Sequence, residues 1–405
     1  MNLLFISLLD FNSLEEHNIY TDILREFRKN NNKIYVISPI ERRKYGETKV
    51  IYEYNCTILK LKIGNIQKTN ILEKGVSTLL ISKQLINGIK RYFSEIKFDL
   101  ILYPTPPITI VDTVSFVKKR DNAKTYLLLK DIFPQNAVDI GIMSKSGFGG
   151  LFYRYFRDKE RKLYRISDKI GCMSQANIDY VIKHNPEINS SKLEICPNCI
   201  EPQDMSISPE ERNELRRKYN IPLDKTVFVY GGNLGKPQGI PFIMECLKKQ
   251  KENSDAYFLI VGDGTEFEKL QEFFNTERPE NMKLMSKLPK DDYDRMVAAC
   301  DVGLIFLDYR FTIPNFPSRL LNFMQAKLPV LVATDPNTDM GQIVIDNGFG
   351  WSCLSNDSHA FIDCVREALQ SNLKIMGETS RKFLENHYDV KNGYTIIANH
   401  LKDIY

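Results

Sequence analysis

Residues 226–241 read TVFVYGGNLGKPQGIP, and this stretch decides the fold. A run of β-branched and aromatic residues ends at two glycines, and another glycine precedes an apolar, helix-like stretch. That order is typical of a strand, a tight turn and the start of a helix. Because backbone N–H groups in such a turn can face an anion, we predict an anion-binding loop here.

The same alternation of short apolar runs and amphipathic stretches continues on both sides of this loop. In the first half it predicts strands at 3–9, 34–37, 100–103 and 125–129 and helices at 19–27, 80–93 and 110–117. In the second half it predicts strands at 227–230, 257–261, 302–307 and 329–333 and helices at 242–249, 266–274, 291–299, 318–326 and 360–369. Strands that alternate with helices indicate parallel sheets covered on both faces.

The length indicates two domains, because 405 residues are too many for one ordinary core. A charged, low-apolar stretch at 208–218 indicates a linker and a solvated helix between them. The predicted fold class is α/β, with two doubly wound, Rossmann-like domains at 1–202 and 203–385 facing each other across a cleft. A C-terminal helix at 386–405 is predicted to cross back to the first domain. Ligands in such folds bind at the carboxyl ends of the strands, so the cleft is the expected site.

The composition excludes several classes of protein. An apolar content of 43% and a charged content of 26% are typical of a soluble globular protein. The net charge of +4 is too small to indicate nucleic-acid binding. No stretch approaches the ~20 apolar residues that span a bilayer. The apolar start lacks a basic region and a cleavage site, so we interpret it as a buried strand, not a signal peptide.

Eight cysteines are scattered along the chain, several of them in apolar runs. We interpret them as buried free thiols in a reducing cytoplasm. Cys196 and Cys199 have the spacing of half a zinc site or of a redox pair. No second pair follows, and the five histidines offer no matching spacing, so we expect no metal site.

The glycine loop departs from the two commonest phosphate-binding motifs. Pro237 stands where a P-loop would place Ser or Thr, and the spacing does not fit G-x-G-x-x-G. What remains is Gly232 beside one cation, Lys236, with the amides of Asn233 and Gln238 as further donors. This set suits a diphosphate contacted from one side. The alternative is a tight structural turn with a solvated lysine.

Two further loops could contribute to the same site. Gly262 ends an apolar strand, where a ligand can approach the backbone closely. Near Ser318 a helix is predicted to begin, so its free amides and the Arg319 guanidinium would lie together at a positive helix end. Asn322 follows on the same face, within reach of a ribose or sugar hydroxyl. The alternative is that Arg319 forms a surface ion pair and Asn322 is an ordinary polar residue.

Several segments together resemble a known family. They are VGDG at 261–264, ACDVGL at 299–304, PSRLLNFMQAKLPV at 317–330, LLLKDIFP at 127–134, IGCMS at 170–174 and CPNCIE at 196–201. In this order they are similar to GT-B glycosyltransferases of the large retaining family with an E-x7-E signature. That family builds bacterial O-antigens, capsules and exopolysaccharides. The resemblance implies that 1–202 binds an acceptor and 203–385 binds a nucleotide sugar.

The phosphate-binding positions diverge from the family pattern. The family's two phosphate-binding cations fall on Asn233 and Gln238, so neither is present. We expect Lys236 and Arg319 to replace them. The charge that grows on the departing nucleoside diphosphate would then be stabilised without a metal or other cofactor.

The glutamates of the E-x7-E signature are also absent, since they fall on Pro314 and Asn322. An asparagine can still bind ribose hydroxyls through its carbonyl and amide groups. The resemblance places the backbone group that reads the nucleotide base at Leu288, where we expect uracil.

In the first half, Asp131 matches the family's strand-end loop that approaches the reacting sugar. We expect Asp131 to align or deprotonate the acceptor hydroxyl, although a strand-end aspartate is as often a helix N-cap. Glu15 and Glu16, after the first strand, are weaker candidates.

The stretch at 145–166 combines seven basic residues with an aromatic face at helical spacing. Such a helix can lie in a membrane interface, and the family's acceptors are often sugars on a polyprenyl diphosphate. The alternative is an ordinary helix packed on its sheet.

These observations predict a cytoplasmic glycosyltransferase, peripheral at the inner face of the membrane, that transfers a sugar from a UDP-sugar to a lipid-linked or glycan acceptor. One alternative is a UDP-sugar 2-epimerase, which shares the architecture. The other is a catalytically silent relative that only binds nucleotide sugars, which the missing glutamates motivate.

Overall fold

The computed structural model describes residues 1–66 and 71–401. The chain forms two compact units. The first contains Met1–Glu201 and the C-terminal segment from Val390, and the second contains Pro202–Asp389.

The first unit is built on a mixed sheet of eight strands in the described part of the chain. They are β1 (Asn2–Ile6), β2 (Lys33–Glu41), β3 (Lys49–Glu53), β4 (Cys56–Ile63), β5 (Leu100–Thr105), β6 (Lys124–Leu129), β7 (Lys169–Cys172) and β8 (Leu193–Ile195). Their order is β3-β4-β2-β1-β5-β6-β7-β8, and every neighbouring pair is parallel except β3 and β4. The parallel core is as predicted, whereas the antiparallel edge hairpin is not.

Helices cover this sheet, whose central strands are buried. They are α1 (Ile19–Lys29), α2 (Ile71–Tyr92), α3 (Val111–Asp121), α4 (Gln135–Asp139), α5 (Gly147–Ile166) and α6 (Gln175–His184). The start of α1 is fixed by Asn18, whose side chain accepts from the amides of Tyr20 and Thr21 at 2.9 and 3.0 Å. Every residue of β5 and all but the first residue of β6 are buried, as expected for the centre of a parallel sheet.

The second unit contains a six-stranded parallel sheet. Its strands are β9 (Thr226–Asn233), β10 (Ala256–Asp263), β11 (Met282–Ser286), β12 (Val302–Phe306), β13 (Val330–Thr334) and β14 (Gly350–Leu354). The order β11-β10-β9-β12-β13-β14 is that of a doubly wound, Rossmann-like domain. The strand order reverses between β9 and β12, and the glycine loop lies at the carboxyl end of β9. This is where ligands of such domains bind.

The helices of the second unit are α7 (Pro209–Lys218), α8 (Ile240–Lys249), α9 (Phe267–Glu277), α10 (Lys290–Ala298), α11 (Arg319–Gln325), α12 (Met340–Asp346), α13 (Ser358–Gln370) and α14 (Leu373–His387). The prediction of a solvated helix at α7 is only partly right. The Arg216 side chain is fully buried, donates to the carbonyl of Ala299 at 2.9 Å and pairs with Asp301 at 2.6 Å. The Asp301 carboxylate also accepts from the Val227 amide at 2.7 Å, so α7 is anchored to the start of β9.

The last helix, α15 (Val390–Asn399), packs on the first unit. The ring of Tyr394 meets that of Phe27 on α1 edge-on, with 4.8 Å between centroids. The His400 ring nitrogen lies 2.6 Å from the Glu194 carboxylate. The chain therefore returns to its first unit after completing the second.

The cysteine and membrane predictions can be compared with this structure. All eight cysteines are free and buried. Within residues 1–66 and 71–401, no cluster of three or more metal-ligating side chains is found. Over the same residues, no helix is both long and apolar enough to cross a membrane.

Candidate active site

The end of β9 requires glycine at two consecutive positions. A Cβ on Gly231 would lie 1.8 Å from the hydroxyl oxygen of Tyr293 on α10. Gly232 has a φ of 123°, which residues with side chains rarely adopt, and its position borders the Arg319 guanidinium at 3.7 Å. The absence of a side chain on Gly231 lets Tyr293 approach the strand end, whereas Gly232 is required by the backbone conformation beside Arg319.

Two predicted donor-binding residues hold the glycine loop together. The Asn233 side-chain amide donates to Gln238 Oε1 at 2.9 Å, and the Gly235 amide donates to the same oxygen at 3.1 Å. The Tyr230 hydroxyl donates to the Asn233 carbonyl at 2.6 Å. These bonds fix the loop conformation. Asn233 and Gln238 therefore have a structural role for which neutral amide side chains suffice.

Lys236 is the cation of this loop. It begins a single 3-10 turn over Lys236–Gln238, and its side chain is exposed. Among residues 1–66 and 71–401 it has neither an ion pair nor a side-chain hydrogen bond. The Asp308 amide donates to the Pro237 carbonyl at 2.9 Å, so the turn is tied to the chain that follows β12.

Arg319 lies against the same strand end with part of its hydrogen-bonding capacity unused. Its guanidinium carbon is 4.6 Å from the centroid of the Tyr230 ring. Its Nη1 is buried, and no hydrogen-bond partner for it exists in the described chain. A buried guanidinium N–H without an acceptor is costly, so an anionic ligand would satisfy it.

Ser318 lies directly before the short helix α11. Ser318 is exposed, and α11 has only seven residues. The amides of Leu320 and Leu321 already donate to the carbonyls of Pro317 and Ser318, at 3.3 and 3.1 Å. The guanidinium, and not a long helix dipole, is therefore the main source of positive charge at this end.

Asn322 is held in one orientation by α10. Its Nδ2 donates to Asp294 Oδ1 at 2.9 Å, and the other Asp294 oxygen pairs with Lys290 at 2.5 Å. Asn322 Oδ1 is buried and without a hydrogen-bond donor in the described residues. The anchored amide therefore presents a free acceptor, which a ribose hydroxyl could satisfy.

The remaining predicted residues of the second unit have more limited roles. A Cβ on Gly262 would lie 2.0 Å from the Gly232 carbonyl oxygen, so glycine is needed there for close packing of β10 on β9. Leu288 is half-buried in the connection between β11 and α10. Pro314, at the first lost glutamate position, is buried.

In the first unit, Asp131 follows the carboxyl end of β6. Its Oδ2 accepts from the Asn136 side chain at 2.7 Å. Burial raises the pKa of Asp131 to about 6, and hydrogen bonds from the Ile132 amide and Asn136 only partly oppose this. A carboxylate with this pKa is suited to general base catalysis near neutral pH.

The weaker candidates Glu15 and Glu16 are engaged in local contacts. Arg28 donates to Glu15 at 2.5 Å, and this hydrogen bond lowers the pKa of Glu15. Glu16 accepts from the Asn12 amide at 2.7 Å. Both carboxylates thus stabilise the loop that follows β1.

Residues 211–390 match the family model described as Glycosyl transferases group 1. This stretch, which makes up most of the second unit, is therefore similar to group 1 glycosyltransferases. The match covers the glycine loop, Arg319 and Asn322, so the candidate site lies within the matched residues.

Relatives extend the similarity to most of the chain. WbjE of Pseudomonas aeruginosa, described as a probable glycosyltransferase, is 24% identical and covers 85% of this chain and 84% of its own length. The UDP-Gal:alpha-D-GlcNAc-diphosphoundecaprenol alpha-1,3-galactosyltransferase of Escherichia coli is 23% identical over 60% of each chain. Anabaena Alr3699/HepE, solved with UDP and glucose, is 14% identical, covers 100% of both chains and has a TM-score of 0.72. The chain therefore has the GT-B fold and is related to bacterial glycosyltransferases.

The face predicted for 145–166 divides into two parts on α5. Leu163 is fully buried, and Phe156 packs edge-on against Phe133 with 5.1 Å between centroids, so the ordinary packing alternative holds for this part. Leu151 and Phe152, by contrast, are 59% and 62% exposed. Most basic residues of α5 form ion pairs: Arg157 with Glu160, Lys159 and Lys162 with Asp112, and Arg161 and Arg165 with Glu187.

Three residues of the candidate site in the second unit were not predicted. Tyr230 supplies the ring beneath Arg319, Tyr293 reaches Gly231, and Asp294 anchors Asn322. The last two lie in the predicted helix at 291–299, where helical periodicity alone does not distinguish a site residue from a surface residue. The pair of glycines at the end of β9 was the available signal, since it indicates that other side chains approach there.

Proposed function

We propose that this chain transfers a sugar from a UDP-sugar to a lipid-linked sugar acceptor during synthesis of a bacterial cell-surface polysaccharide. The observation that carries the proposal is a pair of buried, unsatisfied polar atoms in the second unit. Arg319 Nη1 lacks an acceptor and Asn322 Oδ1 lacks a donor within residues 1–66 and 71–401. One needs an anion and the other a hydroxyl, which are the diphosphate and ribose groups of a nucleotide sugar.

The cations act mainly on the leaving group. When the bond between sugar and phosphate breaks, negative charge grows on the departing UDP. Arg319, held on the Tyr230 ring, and Lys236 on the glycine loop offer fixed positive charge to it. Preorganised charges of this kind contribute several kcal/mol to transition-state stabilisation. Because these cations supply the charge, the proposed reaction requires no cofactor or metal. The resemblance implies that the transfer retains the configuration of the sugar.

Asn322 and Leu288 account for recognition of the nucleoside. The Asn322 acceptor binds a ribose hydroxyl, because Asp294 already occupies its amide group. The backbone at Leu288, between β11 and α10, contacts the uracil base. Recognition of UDP is supported by the UDP complex of the similarly folded Anabaena protein.

Asp131 acts on the acceptor. With a pKa raised to about 6, it is mostly ionised at pH 7 and still basic enough to accept a proton from an acceptor hydroxyl. Asn136 holds one carboxylate oxygen at 2.7 Å, which leaves the other for the substrate. A lipid-linked acceptor is supported by the diphosphoundecaprenol substrate in the name of the Escherichia coli relative.

The proposed enzyme works at the cytoplasmic face of the membrane and contacts it through the start of α5. Leu151 and Phe152 are exposed apolar side chains at the start of α5, and the exposed Arg154 follows two residues later. Exposed apolar groups beside a basic residue suit an anionic lipid surface. Leu151→Ser with Phe152→Ser should abolish co-sedimentation with anionic vesicles. Unchanged co-sedimentation would exclude this surface.

The decisive experiment is incubation with labelled UDP-sugars, with and without an undecaprenyl-diphosphate-linked sugar. Transfer predicts free UDP and a labelled lipid that appear together, only when the acceptor is present. An isomerised donor without acceptor would indicate the epimerase, and UDP-sugar binding without turnover on any acceptor would indicate the silent relative. Chelation of divalent cations in the same assay tests metal independence.

A further inference from the structure

The diphosphate site lacks the two cations that the family resemblance would supply. Their positions, Asn233 and Gln238, are hydrogen-bonded to each other at 2.9 Å, and the Gln238 oxygen also accepts from the Gly235 amide at 3.1 Å. These side chains hold the loop and cannot rotate toward a ligand without breaking it. Another group is needed to complete the hydrogen bonds around the diphosphate.

Tyr293 is placed to supply such a group. Its hydroxyl oxygen occupies the space that a side chain at position 231 would take, 1.8 Å from an ideal Cβ. Arg319 borders the next residue at ordinary contact distance, with Nη2 3.7 Å from an ideal Cβ on Gly232. The two side chains therefore approach adjacent residues at the carboxyl end of β9, where the strand order reverses.

The Tyr293 hydroxyl has no hydrogen-bond partner in the described parts of the chain. Burial raises the pKa of Tyr293 well above its ordinary value, although the nearby Arg319 cation opposes this. The phenol therefore remains protonated at neutral pH and can donate one hydrogen bond. Tyr293 is half-buried, and its hydroxyl is not among the buried polar atoms, so a ligand can reach it. A free hydroxyl near an unsatisfied guanidinium favours a ligand that is an anion with several acceptor oxygens.

We propose that the Tyr293 hydroxyl binds the diphosphate of the donor together with Arg319, in place of a cation at Asn233 or Gln238. This inference rests on the proposed function, because it assumes that the site takes a nucleoside diphosphate. It gives Gly231 a specific role, since any side chain there would displace the Tyr293 hydroxyl. It also assigns α10 two functions: Tyr293 contacts the diphosphate, and Asp294 orients Asn322.

Tyr293→Phe tests this directly, because it removes one oxygen and keeps the ring. Titration calorimetry of the full chain with UDP and with uridine separates phosphate recognition from base and ribose recognition. The expected result is UDP binding weakened about tenfold or more, as for loss of a hydrogen bond to a charged group, with uridine affinity unchanged. The thermal midpoint should not fall, because the hydroxyl bonds to no described part of the protein.

Tyr219→Phe is the matched control. The Tyr219 hydroxyl donates at 3.3 Å to Asp292, which lies on the same helix as Tyr293 but outside the site. It should leave UDP binding unchanged. Equal UDP affinity in Tyr293→Phe and the wild type, or parallel losses for UDP and uridine, would overturn the assignment. If the wild-type protein binds no UDP at all, the proposed function itself fails, which is a separate result.

Discussion

The two candidate regions differ in the charge of their polar groups. In the second unit, Arg319 and Asn322 each keep a buried atom without a partner in the described chain. In the first unit, Glu15 and Glu16 are bonded to Arg28 and to the Asn12 amide. Of the carboxylates predicted there, Asp131 is the one whose pKa burial raises into the range useful for catalysis. Asp131 Oδ1 is also buried without a partner in the described residues. The candidates of the second unit are therefore a permanent cation and a neutral amide, whereas the candidate of the first unit is a carboxylate with a raised pKa.

Replacement of Asp131 tests the proposed role of its carboxylate as a general base, and this variant should show the largest effect. Loss of a general base typically costs about 10²- to 10⁴-fold in rate, so Asp131→Asn should reduce kcat by a similar factor. UDP affinity should not change, because the residue belongs to the acceptor step. Glu15→Gln is the control and should change kcat less than about twofold, since surface ion pairs contribute little.

The pH dependence of the same variant provides an independent measurement. Since burial raises the Asp131 pKa from 3.8 to about 6, the folded protein binds the proton more tightly than the unfolded chain. Stability attributable to this group is therefore largest below pH 3.8 and is lost as the pH rises through about 6. Asp131→Asn should be at least as stable as the wild type at pH 7, while wild-type kcat/KM should rise as the pH passes 6. A less stable variant would mean that the carboxylate is structural.

Replacement of Arg319 tests the proposed binding of the UDP diphosphate in the second unit. Removing the guanidinium takes away a charged hydrogen-bond donor, so Arg319→Ala should weaken UDP binding about 10- to 100-fold. Calorimetry measures this directly. Arg366→Ala, which removes an exposed arginine of α13 paired with Asp363, should leave the affinity unchanged. Equal affinity in Arg319→Ala would remove this residue from the site.

Lys236 should have a smaller effect on binding than Arg319, because its side chain is exposed to water. Its contribution is expected in the transition state, when charge grows on the leaving diphosphate. Lys236→Ala should therefore lower kcat about tenfold while UDP affinity changes less than about threefold. Lys248→Ala, on the exposed side of α8, is the control. If kcat and UDP affinity both stay at wild-type values in Lys236→Ala, the glycine loop is only a structural turn.

The sequence predicted the parallel sheets because apolar strands such as 227–230 are bounded by glycines and followed by helical patterns. It did not predict the antiparallel β3, whose residues are all half-buried or exposed and give a weak apolar signal. It described 208–218 as solvated because charge dominates the composition. Arg216 is nevertheless buried, since its guanidinium finds carbonyls and Asp301 in the tertiary structure.

The candidate site shows a similar division. Arg319 and Asn322 could be predicted because their segment resembles a known motif. The contacts of Tyr293 and Asp294 could not, because α10 precedes β12 while the groups they meet lie on β9 and α11. Pairing across such sequence separations depends on the strand order at the sheet's switch point. Periodicity within a single helix carries no information about it.

The Asp294–Asn322 contact should produce the smallest of these effects. Asp294→Ala frees the Asn322 amide to rotate, so either its oxygen or its nitrogen could face the ribose. Calorimetry with UDP, 2′-deoxy-UDP and 3′-deoxy-UDP should show preference for the ribonucleotide in the wild type, and a preference reduced about threefold in the variant. Asp292→Ala, which removes an exposed carboxylate paired with Lys218 on the same helix, should keep the wild-type preference. An undiminished preference in Asp294→Ala would show that packing around Asn322, and not the carboxylate, fixes the amide.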